Sequence, residues 1–370
     1  MKRVGIMTFH NTDNYGAELQ AYALQEKINR ILNDADVRII DYRNKNLEKN
    51  YKLFSIRGEN LKLKLRSIIS NVIYFNKNLK RRLNFKSFRK NKFKLSNKYK
   101  NLKQLEHRYP KYDIYVTGSD QVWNYKIVGD LSNAYTLNFG DKGIKRISYA
   151  ASIGLNKIED IYKKEYYNKI KEIDRISVRE ENAREMLNEI IKEEIEVVLD
   201  PTLLLTKKEW NNEIIKKEKP KEKYILAYVV APDKEYTKIV NELSRKTGLK
   251  VIHFEKKDVY ENTLKSLYTQ GPLDFINYIK NAEYVVATSF HAAVFSIIFN
   301  KKFFIVPHKN TSSRVTNLLT KLEISDRIFY SSEEFKNIDY NFQTDWKKVE
   351  SILNDEREKS INWLKNALEG

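Results

Sequence analysis

Five histidines stand in this 370-residue sequence, and one occupies a position where a proton could be exchanged with a bound anion. In Thr288-Ser289-Phe290-His291-Ala292 a strand pattern gives way to an apolar helical pattern, with Ser289 at the N-cap and His291 in the first turn. Backbone N–H groups and the positive end of the helix dipole favour a phosphate there, and a bound dianion would hold the imidazolium form. Ligand binding would then arm His291 as an acid. The same position also suits a histidine that only fills a helix N-terminus. A second candidate is Arg179, which ends the short apolar run Ile176-Ser177-Val178 and offers a planar fork for carboxylate or phosphate. An ion pair with Glu180 or Glu181 explains it equally well. Lys309 follows a strand in Pro307-His308-Lys309 and supplies a point charge, with Arg314 a second cation nearby. Asp13, Asn14, Tyr15 and Glu18 crowd a strand-to-helix turn, where a carboxylate could act as base or where turn chemistry alone accounts for them.

These residues need elements to hold them. Arg3 to Phe9 reads as a strand, Gly16 to Leu32 as a helix and Val37 to Tyr42 as a strand, a βαβ opening that puts His10 to Tyr15 at a carboxyl sheet edge. Strand and helix patterns alternate again from Asp113 to Asp200. A second α/β series runs from Tyr224 through Phe303 to Val306 and the helix Ser312 to Leu322. The predicted fold class is therefore α/β, with two Rossmann-like domains facing across a cleft. The expected boundaries are 1–205, with a basic helical insertion at 44–108, then 206–345, then a C-terminal helix at 346–370 packing back on the core.

Composition narrows the chemistry. Hydrophobic residues make up 41% and charged residues 32%, a globular balance, and there is no cysteine. Disulfides, thiolate nucleophiles, Fe–S clusters and cysteine zinc sites are excluded, and a cytoplasmic setting with neither metal nor cofactor is expected. The sequence lacks GxxxxGK[ST], GxGxxG after the first strand, HExxH and GxSxG, which removes the common kinases, dinucleotide oxidoreductases, zincins and serine hydrolases. The formal net charge is +19, and Asn44 to Arg108 holds 20 basic against 3 acidic residues, a net of +17. Apolar residues recur at helical spacing among those bases, so the segment is read as an amphipathic insertion. Such a face would attract an anionic membrane surface or stay solvated; no nucleic-acid recognition signature accompanies it.

Six segments in order carry a family resemblance: Asn14-Tyr15-Gly16-Ala17-Glu18-Leu19-Gln20, Gly118-Ser119-Asp120-Gln121-Val122-Trp123-Asn124, Ser148-Tyr149-Ala150-Ala151-Ser152-Ile153-Gly154, Ser177-Val178-Arg179-Glu180, Leu199-Asp200-Pro201-Thr202 and Thr288-Ser289-Phe290-His291. Together they resemble the polysaccharide pyruvyl transferase family over about residues 4 to 320. The resemblance implies a GT-B-like fold and transfer of a pyruvyl group from phosphoenolpyruvate to sugar hydroxyls, forming a ketal and releasing phosphate. It implies an acid at His291, phosphoenolpyruvate binding at Arg179 and assistance from Lys309. Ser289, Asn14, Ser119, Asp120, Gln121, Trp123 and Arg314 complete the expected binding set, and Asp13 is preferred to Glu18 as base. The acceptor would be a cell-surface polysaccharide or its lipid-linked precursor, with the enzyme peripheral at the inner membrane face.

Two departures stand out. Phe290 precedes His291 where family members often carry Arg-Leu-His, and Asn14-Tyr15-Gly16 replaces a Gly-Asp-Glu turn. Anion binding then falls to Arg179, Lys309 and the helix N-terminus. Two other readings suit the same sequence: a GT-B glycosyltransferase using a nucleotide sugar, and a non-enzymatic polyanion-binding protein on a transferase scaffold.

Overall fold

A computed structural model describes residues 1–49, 51, 53, 60–129, 131–230, 233–307 and 313–370. The chain divides into two compact units, one of Met1–Lys52, Arg89–Leu205 and Asn354–Gly370, the other of Leu53–Phe88 and Thr206–Leu353.

The first unit is built on seven parallel strands: β1 (Lys2–Met7), β2 (Ala35–Tyr42), β3 (Leu95–Tyr99), β4 (Ile114–Thr117), β5 (Lys145–Ala151), β6 (Arg175–Val178) and β7 (Ile195–Val197). Their spatial order is β3-β2-β1-β4-β5-β6-β7. Central strands covered on both faces must be apolar throughout, and β4 (IYVT) and the last four residues of β1 are wholly buried. The second unit has five parallel strands, β8 (Tyr224–Tyr228), β9 (Lys250–His253), β10 (Thr263–Ser266), β11 (Tyr284–Ala287) and β12 (Lys302–Ile305), ordered β10-β9-β8-β11-β12. The order of strands in each sheet therefore reverses once, between β1 and β4 in the first and between β8 and β11 in the second. Ligands of open α/β sheets bind beyond the strand ends at such reversals.

The expected helical insertion differs from the structure in two respects. Helices do form over Leu61–Ile73 and Phe75–Lys92, but Leu95–Tyr99 is a strand that pairs with β2 through Ile39 and Leu95. In addition, residues 53–88 belong to the second unit and not to the first. The cause is where the Phe75–Lys92 helix finds its partners. Arg81 Nη1 donates to the Tyr268 carbonyl at 2.9 Å, Asn84 Nδ2 to the Thr269 carbonyl at 2.8 Å, and the Tyr268 hydroxyl to Asn78 Oδ1 at 2.8 Å, while Phe85 and Phe88 are buried.

The helix Trp346–Glu369 supplies its last two thirds, from Asn354 on, to the first unit. Ser360 Oγ accepts the Leu199 N–H at 3.0 Å, Arg357 Nε donates to the Leu203 carbonyl at 2.7 Å, and Lys2 Nζ donates to the Leu368 carbonyl at 2.8 Å.

Candidate functional site

At the reversal of the first sheet, the loops after β1 and β4 are joined by a buried amide. Gln20, on the helix Tyr15–Leu32, accepts the Ser119 N–H at 3.1 Å and donates to Thr8 Oγ1 at 2.9 Å. Gly118, just before, has φ +115°, and a Cβ there would stand 2.1 Å from the Tyr149 carbonyl oxygen, so only glycine fits. Asp120 also takes a positive φ of 67°, and its carbonyl accepts the Ser152 N–H at 2.9 Å. This backbone path delivers Ser119 and Asp120 to the end of β6, where Arg179 emerges.

Arg179 is enclosed by carboxylates. Its Nε donates to Glu180 at 2.8 Å, its Nη1 to Asp200 Oδ2 at 2.9 Å, and its Nη2 lies 3.8 Å from Asp120 Oδ1. Burial opposes its charge, but Glu180, Asp200 and Asp120 outweigh that and raise its pKa above the ordinary arginine value. Asp200 is held in turn: it accepts Ser119 Oγ–H at 3.2 Å and, through Oδ1, the N–H and hydroxyl of Thr202 at 3.0 and 2.6 Å. Pro201 at the first helical position and Asp200 as N-cap set that geometry. Ser119, Asp120 and Arg179 thus come together. The sequence reading did not place Asp200, Gln20 and Thr202 among them.

On the β1 side, Arg89 reaches into the first strand-to-helix turn. Its Nη1 donates to Glu18 Oε1 at 2.8 Å and to the Thr12 carbonyl at 3.2 Å, and lies 3.6 Å from Asp13 Oδ1. Glu18 is fully buried and also accepts the Thr12 N–H at 3.1 Å. Burial pushes its carboxyl up to about 8 from an ordinary 4.5, even though Arg89 pulls it down. Asp13 keeps some exposure, while Asn14 caps the helix by accepting the Ala17 N–H at 3.2 Å. The raised carboxyl makes a linkage prediction. A folded state that favours protonated Glu18 is fully stabilised below pH 4.5 and loses that stability as pH rises through about 8. Chemical denaturation across this window should show wild type falling relative to Glu18→Gln by up to about 1.4 kcal/mol per pH unit. Parallel profiles would mean that Arg89 keeps Glu18 ionised throughout.

At the reversal of the second sheet, Thr288 Oγ1 accepts the Val230 N–H at 3.0 Å and ties the loops after β8 and β11 together. The helix Phe290–Ile298 starts directly afterwards with Ser289 as N-cap by backbone, though the serine side chain makes no cap hydrogen bond. His291 is its second residue, buried, with its ring edge-on to Phe290 at 5.2 Å. Apart from His291 and Ser296 the helix is apolar, and it is fixed through Phe295, which meets Trp210 at 5.1 Å and Phe275 at 6.3 Å. His291 therefore stands on a rigid element at a helix N-terminus.

The remaining expected residues fall differently. Trp123 is wholly buried and donates to the Tyr135 carbonyl at 3.2 Å, so it is a core side chain and offers no face to a substrate. Gln121 is half-buried, with its Oε1 accepting from Asn124 Nδ2 at 2.9 Å. Arg314 is the second residue of the helix Ser313–Lys321, half-buried. Lys309 lies outside the described residues. Beside the carboxyl ends of β2 and β3, the first unit also holds a polar cavity of about 470 Å³ lined by Arg43, Asn44, Lys45, Asn101, Ser132 and Lys169, among others. No sequence signal announced it, since its walls come from four separate stretches of chain.

A family model described as polysaccharide pyruvyl transferase matches residues 14–310. Among curated proteins none matches significantly. Solved structures match along nearly the whole chain at low identity. A UDP-N-acetylglucosamine 2-epimerase is 12% identical with a TM-score of 0.53, covering 98% of this chain and 95% of its own. The UDP-N-acetylglucosamine 2-epimerase from Rickettsia bellii is 12% identical with a TM-score of 0.50, covering 98% and 96%. The kitacinnamycin glycotransferase is 9% identical with a TM-score of 0.50, covering 99% and 97%. These likenesses establish the fold, two Rossmann-like units of the GT-B kind, and nothing about the reaction.

Proposed function

Because the chain belongs to the polysaccharide pyruvyl transferase family, we propose that this transferase moves the pyruvyl group of phosphoenolpyruvate onto two hydroxyls of a sugar in a cell-surface polysaccharide or its lipid-linked precursor. The carrying observation is His291 in the first turn of a rigid helix at the reversal of the second sheet. A helix N-terminus suits the donor's phosphate, and an imidazole beside it can reach a proton acceptor.

The chemistry balances with few groups. His291 gives a proton to the methylene carbon of phosphoenolpyruvate, which becomes a methyl and leaves the adjacent carbon cationic. A sugar hydroxyl adds to that carbon and releases its proton to a base. The bond to the phosphate oxygen then breaks, phosphate departs, and a second hydroxyl adds with loss of its proton, closing the ketal. Of the two protons released, one restores His291 and one leaves with phosphate. Asp13 is our base, since it has the exposure that Glu18 lacks, with the Arg89 guanidinium 3.6 Å away. Arg179 has Nε and Nη1 engaged by Glu180 and Asp200, so its share in donor binding would run through the Nη2 edge beside Asp120. The amide, hydroxyl and ammonium lining of the 470 Å³ cavity suits sugar hydroxyls.

Calorimetric titration tests the donor. Phosphoenolpyruvate should give saturable heat while UDP, GDP and CMP give none. Nucleotide binding with phosphoenolpyruvate silent would replace this reading with transfer from a nucleotide sugar.

A further inference from the structure

The helix Leu61–Ile73 has no buried residue. Leu61, Leu65, Ile68 and Val72 recur at i, i+4, i+7 and i+11, with Ile69 and Ile73 alongside, and all six are exposed, Leu61 at 74% and Ile73 at 66%. An apolar stripe three turns long facing water is unfavourable unless something covers it. Charge says what. From Asn60 to Lys92 there are eleven lysines and arginines and no acidic residue. Lys62, Lys64 and Arg66 border the stripe, on stems long enough to keep their charges at a polar interface. At the foot of the helix the ammonium groups of Lys77, Lys256 and Lys257 lie 5.7, 5.8 and 5.8 Å from the centre of the Tyr74 ring, extending the same cationic surface.

We propose that the Leu61–Ile73 helix is a docking element for an anionic lipid surface, lying in the plane of the interface with its apolar stripe among the acyl chains and its cations among the headgroups. A helix with this pairing of faces partitions into the interfacial zone of a bilayer, and no helix among the described residues is long and apolar enough to cross one. A second copy of the chain is the weaker occupant, because it would bring its own Lys62, Lys64 and Arg66 against those of the first. The following helix is fixed to the second unit through Arg81 and Asn84, which gives the docking helix a firm base. The inference does not depend on the reaction proposed above.

The test is co-sedimentation of the full chain with vesicles of phosphatidylcholine, with and without phosphatidylglycerol, at low and high salt, alongside sedimentation velocity without lipid. Wild type should be retained on the phosphatidylglycerol vesicles and not on pure phosphatidylcholine, with retention falling at high salt. Both Leu65→Glu with Val72→Glu and Lys62→Glu with Lys64→Glu and Arg66→Glu should lose about tenfold or more in vesicle affinity. These positions are exposed, so thermal melting should not change. Failure of wild type to bind phosphatidylglycerol vesicles at low salt overturns the proposal. So does equal retention of the Leu65→Glu, Val72→Glu variant, or a lipid-free dimer that this variant dissociates while vesicles retain nothing.

Discussion

Replacing His291 with Gln should lower turnover about 10²- to 10⁴-fold, the usual cost of losing a positioned general acid, while leaving phosphoenolpyruvate affinity within a few-fold. Glutamine keeps a hydrogen-bonding side chain of similar reach but cannot deliver a proton to carbon. The helix that carries the residue is packed through Phe295 against Trp210 and Phe275 and does not depend on the imidazole for its place. The loss should therefore appear in kcat and not in donor binding. Phosphate release in the presence of a polysaccharide acceptor reads the first, and calorimetry the second. Turnover within about fivefold of wild type would assign the proton to another group, since less than that is too small for a general acid. Lost donor binding with intact melting would make His291 a phosphate ligand instead.

The second large effect concerns stability. Arg179→Ala should cost about 3–5 kcal/mol, because it leaves Glu180 and Asp200 buried without their counter-charge. In a unit of this size that corresponds to a fall in Tm of about 10 °C. Arg179→Lys should recover only part, since an ammonium cannot reach Glu180 and Asp200 together as the guanidinium does. Neutralising the neighbours in the same chain, with Glu180→Gln and Asp200→Asn beside Arg179→Met, should be milder than Arg179→Ala alone. That ordering distinguishes a charge-balanced network from simple lost packing. Unchanged melting in Arg179→Ala would release the arginine from this structural duty and return it to donor binding.

The alternation of strands and helices was legible because parallel strands buried on both faces leave short apolar runs, as in Ile114–Thr117 and Tyr284–Ala287. So was the position of His291, since the strand end, the N-cap and the apolar helix are contiguous. Leu95–Tyr99 was not, because an edge strand needs little apolar surface and its lysine and asparagine resemble the helices before it. The grip of Arg89 on Glu18, 71 residues away, follows from tertiary packing that no local pattern encodes. Asp200 was visible only as part of the family segment Leu199-Asp200-Pro201-Thr202. Its second role depends on β6 lying beside β7, which brings the end of one strand next to the end of the other.

The segmental make-up of the two units governs how this protein can be dissected or recombined. The first is assembled from three stretches of chain and the second from two, interleaved in sequence. A cut at Leu205 would take the stretch 53–88 away from Tyr268 and Thr269, and would strip the first unit of the helix that holds Leu199 and Leu203. Neither unit is a single contiguous module, so one crossover cannot exchange it between relatives. Lineages that acquire a new acceptor would be expected to do so by changing loops beyond the strand ends, with the two scaffolds inherited together.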